Sequence, residues 1–479
     1  CAALAAQEAG ASVLVLEKAG EDERGGNTFF TGGGFRFPYD GIEDIQTLIP
    51  DLTESELERI EVGAYTEAAM REDLMRVSEG LADEQLTDHL VRNSFDTMQW
   101  MRERLDVRWV LMYGRQAYEV EGKLRFWGGL IVEAVGAGKG LSDSLFAAAD
   151  HHGVEVRYGT KAVGLVMDDA GAVRGVQVRG PNGLETVEAH AVVMAAGGFE
   201  ANTEMRTRYM GPGWELAKVR GTRHNTGEGI RMALDIGAQS HGHWSSGHAV
   251  AWDLNAPPTG NRIVGDLYQK HSYPLGLIVN IEGERFVDEG ADMRNYTYAK
   301  YGREILRQPY GVAFQLFDQK TVPILRDEYR IREITKGEGQ TIGELADDLG
   351  IDREGLERTV AAFNAACQPG EFNPAVLDGV STEGIEPPKS NWAIPLDEPP
   401  YFGVAVTCGI TFTFGGLRID HRSAQVLDTE LEPIPGLYAA GELVGGLFYH
   451  NYAGGTGLMS GAVFGRTAGR AAAEAVLGG

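Results

Sequence analysis

The chain opens with a helical pattern that gives way to a strand pattern. Residues 1–10 are Ala-rich and end at glycine, which is typical of a helix with a glycine C-cap. Residues 12–17 form a short apolar run that ends in Glu17, as in a buried parallel strand. Together they predict the second half of a dinucleotide-binding βαβ unit, whose acid accepts hydrogen bonds from ribose hydroxyls. The alternative is that Glu17 only ends a buried strand in solvent.

In such a unit a glycine-rich phosphate loop precedes the acid by about 20 residues. Counting back from Glu17 places that loop before Cys1, and Gly10 and Gly20 do not replace it. We therefore expect the first strand and its glycine loop to be missing from this chain.

Later segments alternate between helix and strand patterns. Helices are expected within 53–105, where Thr53 and Glu56 suggest a capping box, and over 141–152, 342–349 and 353–366. Strands are expected near 154–158, 160–167, 173–179 and 185–194 as an antiparallel meander, at 192–198 before a glycine turn, and as a hairpin over 279–288. A change of composition near His241 predicts an inserted domain over 241–412, between segments 1–240 and 413–479.

The charge, the cysteine count and the length of the apolar runs exclude several classes of partner and site. The formal charge of −26 disfavours nucleic acid or an anionic membrane as the main partner. Three cysteines without a CxxC pair argue against disulfides, zinc or iron–sulfur clusters, so we predict no metal site and a reducing, cytoplasmic compartment. No apolar run is long enough for a membrane span.

The 65 glycines cluster in turns that follow strands. The turns over 24–34, 195–198 and 436–442 allow main-chain N–H groups to approach a planar or anionic ligand. Residues 454–458 open a long Ala-rich helix whose N-terminus suits a carbonyl that gains negative charge, such as that of a reduced flavin. The alternatives are a mobile surface loop for 24–34 and an ordinary connection before the last helix.

Taken in order, these motifs resemble the flavoproteins of the fumarate reductase/succinate dehydrogenase type. The resemblance covers nearly the whole chain and implies an α/β fold, with a doubly wound, Rossmann-like FAD-binding domain and an inserted α+β capping domain. Residues 27–34 lack the histidine that carries covalent flavin in succinate dehydrogenases, so we expect dissociable FAD. The implied cofactor-binding residues are Glu17, Lys18, Gly25, Gly26, Asn27, Thr28, Gly32, Gly33, Ala162, Val163, Ala196, Gly197, Gly198, Gly441, Glu442, Gly457 and Leu458.

The resemblance also suggests catalytic residues. Arg294 is the nearest match to the proton-donating arginine of fumarate reductases, although its spacing from Glu289 is one residue longer. The family's histidine before the later Gly-Gly is Phe412 here, and its substrate-binding arginine is Tyr452. A fumarate-like dicarboxylate clamp is therefore not expected.

Further candidates come from the chemistry that a carboxylate substrate requires. Arginine binds carboxylates through two N–H groups, and histidine binds them near neutral pH. The candidates are His248, His450 and Tyr452 beside Arg294, with Arg36, Arg220 and Arg223 as further cations and Asp288, Glu289 and Asp292 as proton relays. The alternatives are a structural ion pair for Arg294 and a core position for His248.

Within the family, residues 285–298 and 445–455 look closest to tricarballylate dehydrogenases. This implies an FAD-dependent oxidoreductase that desaturates or reduces the CH–CH bond of a small polycarboxylate, with tricarballylate converted to cis-aconitate. With no haem CxxCH motif, a separate acceptor protein or a quinone-linked partner would take the electrons. The alternatives are an enzyme of ketosteroid-like or other enone substrates, and a truncated or non-catalytic flavoprotein subunit.

Overall fold

The computed structural model describes residues 1–478, and Gly479, the end of the predicted segment 413–479, lies outside the described residues. The helices are α1 (Ala2–Glu8), α2 (Ile42–Leu48), α3 (Glu54–Arg59), α4 (Glu67–Val77), α5 (Glu84–Leu105), α6 (Tyr113–Gln116), α7 (Ala137–His151), α8 (Thr203–Met210), α9 (Glu228–Asp235), α10 (Tyr298–Leu306), α11 (Ile342–Leu349), α12 (Arg353–Ala366) and α13 (Thr456–Leu477). The strands are β1 (Leu14–Leu16), β2 (Gly34–Phe35), β3 (Ile60–Val62), β4 (Trp109–Leu111), β5 (Ala117–Val120), β6 (Lys123–Phe126), β7 (Val132–Ala134), β8 (Glu155–Arg157), β9 (Lys161–Met167), β10 (Val173–Gly180), β11 (Gly183–Glu188), β12 (Val192–Met194), β13 (Lys218–Val219), β14 (Ser240–Asp253), β15 (Leu277–Asn280), β16 (Ala313–Phe317), β17 (Lys336–Gly339), β18 (Tyr401–Leu417), β19 (Gln425–Leu427) and β20 (Pro433–Ala439).

The glycine turns follow strands that pair in parallel. Strand β1 pairs in parallel with β8, and β12 pairs in parallel with β20, whose other edge carries β19. The Ala-rich helices α1 and α13 pack against each other. Their small side chains allow close approach, which brings the N-terminal half of α13 beside the strand ends.

The predicted meander is confirmed only in part. Strands β9, β10 and β11 form an antiparallel sheet. The predicted strand at 154–158 was wrongly placed in the meander because β8 pairs with β1, and 185–194 splits into β11 and β12. A strand's own hydrophobic pattern does not say which neighbour it pairs with, because tertiary packing decides the partner.

A six-stranded sheet around β18 forms the second half of the molecule. Strand β18 pairs with β13, β14, β16 and β17, and β15 joins through β16. The predicted hairpin over 279–288 is confirmed only as a short one, in which a single antiparallel bridge joins Val279 to Arg285, while β15 has β16 as its ladder partner. Asn280 Oδ1 accepts from the N–H groups of Glu282 and Glu284 and holds a turn there.

The helix predictions over 342–349 and 353–366 are confirmed, as is the capping box of Thr53 and Glu56. The predicted boundaries near 240 and 412 fall within the sheet: β14 begins at Ser240, and β18 runs through 412.

One buried apolar cluster extends through both halves, and a smaller one lies between the sheet and helices α11 and α12. Within residues 1–478, no helix is both long and apolar enough to cross a membrane.

Candidate active site

Three glycine turns, far apart in sequence, meet through one hydrogen-bond network. Asn27, in the first turn, donates through Nδ2 to Glu200 Oε1 at 2.7 Å. Asn225 Nδ2 donates to the same Glu200 oxygen at 2.7 Å and to Glu442 Oε2 at 3.2 Å. Glu200 follows the turn at Gly198, and Glu442 follows Gly441. The predicted turns therefore converge in space.

Two carboxyls in this network are buried together. Glu200 is fully buried, and burial together with the nearby Glu442 raises its pKa well above the usual range. Burial also raises the pKa of Glu442, although the main-chain N–H of Thr413 donates to it at 2.8 Å. Glu200 Oε2 has no hydrogen-bond partner. The network thus joins the glycine turns through a pair of buried carboxyls whose raised pKa values favour a shared proton.

Gly198 leaves no space for a side chain. A Cβ there would lie 2.1 Å from Glu442 Oε1 and 2.2 Å from Thr413 Oγ1. Helix α13 passes beside the third turn, since a Cβ on Gly461 would lie 3.8 Å from Gly441 Cα. At the start of α13 the N–H of Gly457 donates to Tyr452 Oη at 2.8 Å.

The other predicted cofactor residues lie around this centre. Glu17 Oε1, at the end of β1, accepts from the N–H of Ala19 at 2.8 Å. Lys18 Nζ donates to Thr226 Oγ1 and pairs with Glu228 at 3.0 Å, so part of its charge is already balanced. Gly25 to Thr28 and Ala196 to Gly198 lie in the converging turns, Gly32 and Gly33 lie just before β2, Ala162 and Val163 lie on β9, and Gly457 and Leu458 lie in the first turn of α13. The glycine turns that meet at the Glu200–Glu442 pair, where Gly198 leaves no room for a Cβ, and the N-terminus of α13 fit a flavin dinucleotide.

An aromatic cluster lies at the start of α13. The ring of Tyr452 is 4.7 Å from that of His248, 5.3 Å from Phe412 and 5.2 Å from Phe448, centroid to centroid. His248 also stacks on Phe412, and its edge contact to Tyr298 is 4.9 Å. Phe412 and Tyr452, the two departures from the fumarate reductase pattern, therefore build one surface with His248.

A cluster of arginine side chains lies next to the aromatic cluster. Arg294 Nη2 and Arg326 Nη1 donate to the same carbonyl oxygen, that of Arg115, at 3.2 and 3.1 Å. Among residues 1–478 no carboxylate forms an ion pair with Arg294. Burial and the neighbouring Arg326 lower the pKa of Arg294 to about 9. Arg294 lies 5.7 Å from the ring of Tyr298, which connects the two clusters.

The nearby carboxylates balance only part of this charge. Asp266 pairs with Arg115 at 3.2 Å and with Arg220 at 2.7 Å, and Glu328 lies 3.2 Å from Arg326. Glu133 is a third carboxyl near Arg115 and Arg326, so four guanidinium groups face three carboxyl groups. Buried His271 lies among them, and burial followed by the charge of Arg294 lowers its pKa well below the usual range. The surplus of positive charge suits an anionic ligand.

Several predicted residues lie outside these two clusters. The N–H of His450 donates to His243 Nδ1 at 3.0 Å, and Arg223 pairs with Glu23 near the surface. The predicted relay carboxylates also have other partners: Asp288 bonds Ser390, Glu289 pairs with Arg285, and Asp292 pairs with Arg76. None of the three bonds to Arg294 in the described chain, so a relay through them has no contact to support it.

Arg36 supports the turn before α13. Its fully buried guanidinium donates to the carbonyl of Gly454 at 2.8 Å and to Tyr65 Oη at 2.8 Å, and it lies 3.5 Å from Asp73. These partners make Arg36 a structural cation that positions Gly454, and only its buried Nη2 has no hydrogen-bond partner.

We expect Arg36→Met to destabilise the protein by about 2 kcal/mol, because the buried carbonyl of Gly454 and the hydroxyls of Tyr65 and Tyr296 lose a charged donor. Urea unfolding measures the loss. The control is Arg92→Met, which removes an exposed ion pair to Asp88 and should change the unfolding free energy by less than about 1 kcal/mol. Equal effects of the two substitutions would contradict a structural role for Arg36.

Sequence reasoning missed Glu200, Asn225, Arg115, His271, Tyr298 and Arg326. Neither Arg115 nor Arg326 lies next to a glycine motif in the sequence. Both come close to Arg294 only in the folded chain. Glu200 offered one signal, since a charged side chain directly after a buried strand and a glycine turn faces the same ligand as the turn.

Comparison with known proteins gives the family. A model of the FAD binding domain matches residues 1–458. The chain belongs to this family of FAD-binding flavoproteins. The flavoprotein is 30% identical to the urocanate reductase of Eggerthella lenta, over 98% of the chain and 72% of the relative. The open form of a flavocytochrome c3 fumarate reductase superposes with a TM-score of 0.71, at 27% identity over 99% of the chain and 76% of that protein.

A third neighbour acts on a different kind of molecule. The 3-ketosteroid-Δ4-(5α)-dehydrogenase of Rhodococcus jostii RHA1, in complex with a steroid dione, superposes with a TM-score of 0.69. It is 25% identical over 98% of the chain and 94% of that protein. The flavoprotein is therefore an FAD-dependent oxidoreductase that acts on CH–CH bonds, and the predicted α/β fold, family and cofactor are confirmed.

Proposed function

We propose that the flavoprotein oxidises or reduces the CH–CH bond of a small polycarboxylate, with tricarballylate and cis-aconitate as the pair. The observation that carries this proposal is the joint anchoring of Arg294 and Arg326 on the carbonyl of Arg115. Two guanidinium groups held side by side repel each other unless an anion lies between or beside them. Glu328 lies beside Arg326 but no carboxylate of the described chain pairs with Arg294, and a substrate with several carboxylates supplies the anion there.

FAD, when bound, accepts or returns the hydride. Asn27, Glu200, Glu442 and the first turn of α13 would hold it at the converging glycine turns. Tyr452 and Tyr298 keep their protons at neutral pH, because burial raises the pKa of both hydroxyls. They therefore orient the substrate by donating hydrogen bonds.

Arg294 is the proposed proton donor in the reductive direction. Its guanidinium is protonated at neutral pH and lies between the aromatic cluster and Arg326. In the oxidative direction the substrate loses a proton from the carbon beside a carboxylate, and a deprotonated Arg294 accepts it. The lowered pKa makes this form more accessible than it is for an ordinary arginine.

A second candidate substrate is a ketone or enone of steroid-like character. It is favoured by the aromatic surface of Tyr452, His248, Phe412 and Phe448, where Tyr452 already accepts an N–H from the start of α13. Such a surface binds an apolar ring system, and the tyrosine hydroxyl binds a carbonyl oxygen. The cationic cluster would then have no partner in the substrate.

Anaerobic flavin spectroscopy on FAD-loaded protein distinguishes the two. We expect tricarballylate to bleach the oxidised spectrum and cis-aconitate to restore it after prior reduction. Succinate and fumarate test a dicarboxylate in the same two directions, and a ketosteroid tests the second candidate. Bleaching by the ketosteroid alone would reject the polycarboxylate. The electrons are proposed to pass to a separate acceptor protein or a quinone-linked partner.

A further inference from the structure

A long irregular segment covers the loop that carries Arg294. Residues 367–400, between α12 and β18, contain no helix or strand, and we call this segment the strap. Asn391 Nδ2, in the strap, donates to the carbonyl of Gly290 at 2.9 Å. A Cβ on Gly290 would lie 2.2 Å from the carbonyl oxygen of Asn391, so the two backbones are in direct contact. The strap therefore packs on the loop just before Arg294.

Trp392, the next residue of the strap, has an unusual backbone conformation. Its φ of 55° lies in the left-handed region, which a bulky residue seldom adopts. Its indole N–H donates to the carbonyls of Asn373 at 2.9 Å and Val376 at 3.0 Å, and the residue is buried. Strain of this kind persists where the surrounding structure enforces one conformation, and it is concentrated at functional sites. The strap thus holds the indole ring in one fixed place.

Trp392 and Pro374 form one wall of a small chamber beside Arg294. The side chains of Arg294, Arg326 and His271 line the same chamber. Its volume is about 20 Å³, which leaves room for about one water molecule. The wall therefore keeps bulk water away from this side of Arg294.

This exclusion of water bears on the charge of Arg294. Loss of hydration is the largest influence that lowers the pKa of Arg294 to about 9, and repulsion by Arg326 comes second. The titratable and charged groups that face Arg294 are Tyr118, His271, Tyr273, Tyr298, Arg326 and Glu328. Burial lowers the pKa of His271 and raises the pKa of the three tyrosines, so these four are neutral near pH 7. Arg326 and Glu328 act in opposite directions, which leaves hydration as the decisive influence.

We propose that the strap is a water-excluding wall for Arg294, and that Trp392 is the positioning residue that keeps this wall closed. The inference rests on the proposed function, in which Arg294 transfers the proton. It deepens that function by naming the residue that allows a guanidinium to release its proton. Water that entered through an open wall would solvate the guanidinium cation and hold the proton on it.

The test replaces Trp392 in the FAD-loaded protein and follows Arg294 by two measurements. The first is an NMR titration of the arginine ¹³Cζ signals, in which Arg294→Gln assigns the signal of Arg294. The second is the pH dependence of tricarballylate oxidation. We expect Trp392→Gly to move the midpoint of both titrations upward by about one pH unit or more, because water enters the chamber. Glycine adopts a φ near 55° without strain, which limits the loss of stability.

Two further variants separate this role from a purely structural one. Trp392→Phe keeps an aromatic wall and should keep the midpoint near pH 9. Leu396 is buried in the same strap, but it packs in the smaller apolar cluster and does not line the chamber. Leu396→Ala should therefore lower the Tm and leave the midpoint unchanged.

An unchanged midpoint in Trp392→Gly, or an equal shift in Leu396→Ala, would overturn the role of Trp392. A wild-type Arg294 that stays protonated up to pH 11 would overturn it as well. If the wild-type enzyme does not oxidise tricarballylate, the proposed function fails, whereas the NMR titration needs no substrate and still decides on the strap. The two failures are thus distinguishable.

Discussion

Replacing Arg294 with glutamine is expected to lower turnover of tricarballylate roughly 10³-fold, the range for loss of a positioned proton donor or acceptor. The same substitution should leave the Tm unchanged or raise it. Arg294 has no carboxylate partner in the described chain, and the adjacent Arg326 repels it. A neutral side chain removes that repulsion. Function and stability should therefore move in opposite directions at this position.

Steady-state kinetics and thermal unfolding of the FAD-loaded variant check this result. The control is Arg307→Gln at an exposed position of the α10 C-terminal cap, where the arginine pairs with Glu304. In the wild-type enzyme the rate of tricarballylate oxidation should rise with pH up to about 9, the pKa of Arg294, because only the deprotonated guanidinium accepts a proton. Full activity of the variant, or a flat pH profile across this range, would remove Arg294 from the chemistry.

Replacing Gly198 with alanine is expected to weaken FAD binding roughly 100-fold, which corresponds to about 2.7 kcal/mol. The new Cβ would lie 2.1 Å from Glu442 Oε1 and 2.2 Å from Thr413 Oγ1. Glu442 must then move away from the N–H of Thr413 and from Asn225, so the carboxyl network that joins the glycine turns is broken. Overpacking of this kind costs about 1–3 kcal/mol even in an apolar core.

FAD content after purification and the dissociation constant from fluorescence titration measure this effect. Gly63→Ala is the matched control, because a Cβ there meets no atom within 4 Å. It should purify with a full complement of flavin. A yellow, fully loaded Gly198→Ala variant would show that the converging turns do not hold the cofactor.

Sequence reasoning was most successful where the signal is local. The capping box at Thr53, helices α11 and α12, and the strand that ends at Glu17 depend on neighbours a few residues away, and they were predicted correctly. It failed where a distant partner decides, as for β8, which lies beside β1 instead of in the meander, and for the ladder partner of β15, which is β16.

The candidate active site divides in the same way. Its glycine turns, together with Arg294, Tyr452 and His248, could be named from the chain because each belongs to a motif or is one of few residues of its kind. His450, which the sequence placed with them, lies beside His243. Arg115, Arg326 and His271 have no motif, and they join the site because the segment at α6 reaches across to the loops near 271, 294 and 326.

The sequence by itself indicated the cofactor and the family of this protein, because its glycine turns and the acid at the end of β1 are short local patterns whose order resembles that of the fumarate reductase/succinate dehydrogenase flavoproteins. Only the tertiary structure decided where charge accumulates. Arg294 and Arg326 belong to different loops, and they share the carbonyl of Arg115 only in the folded chain. Charge density depends on distances in space, which a linear order of residues does not specify.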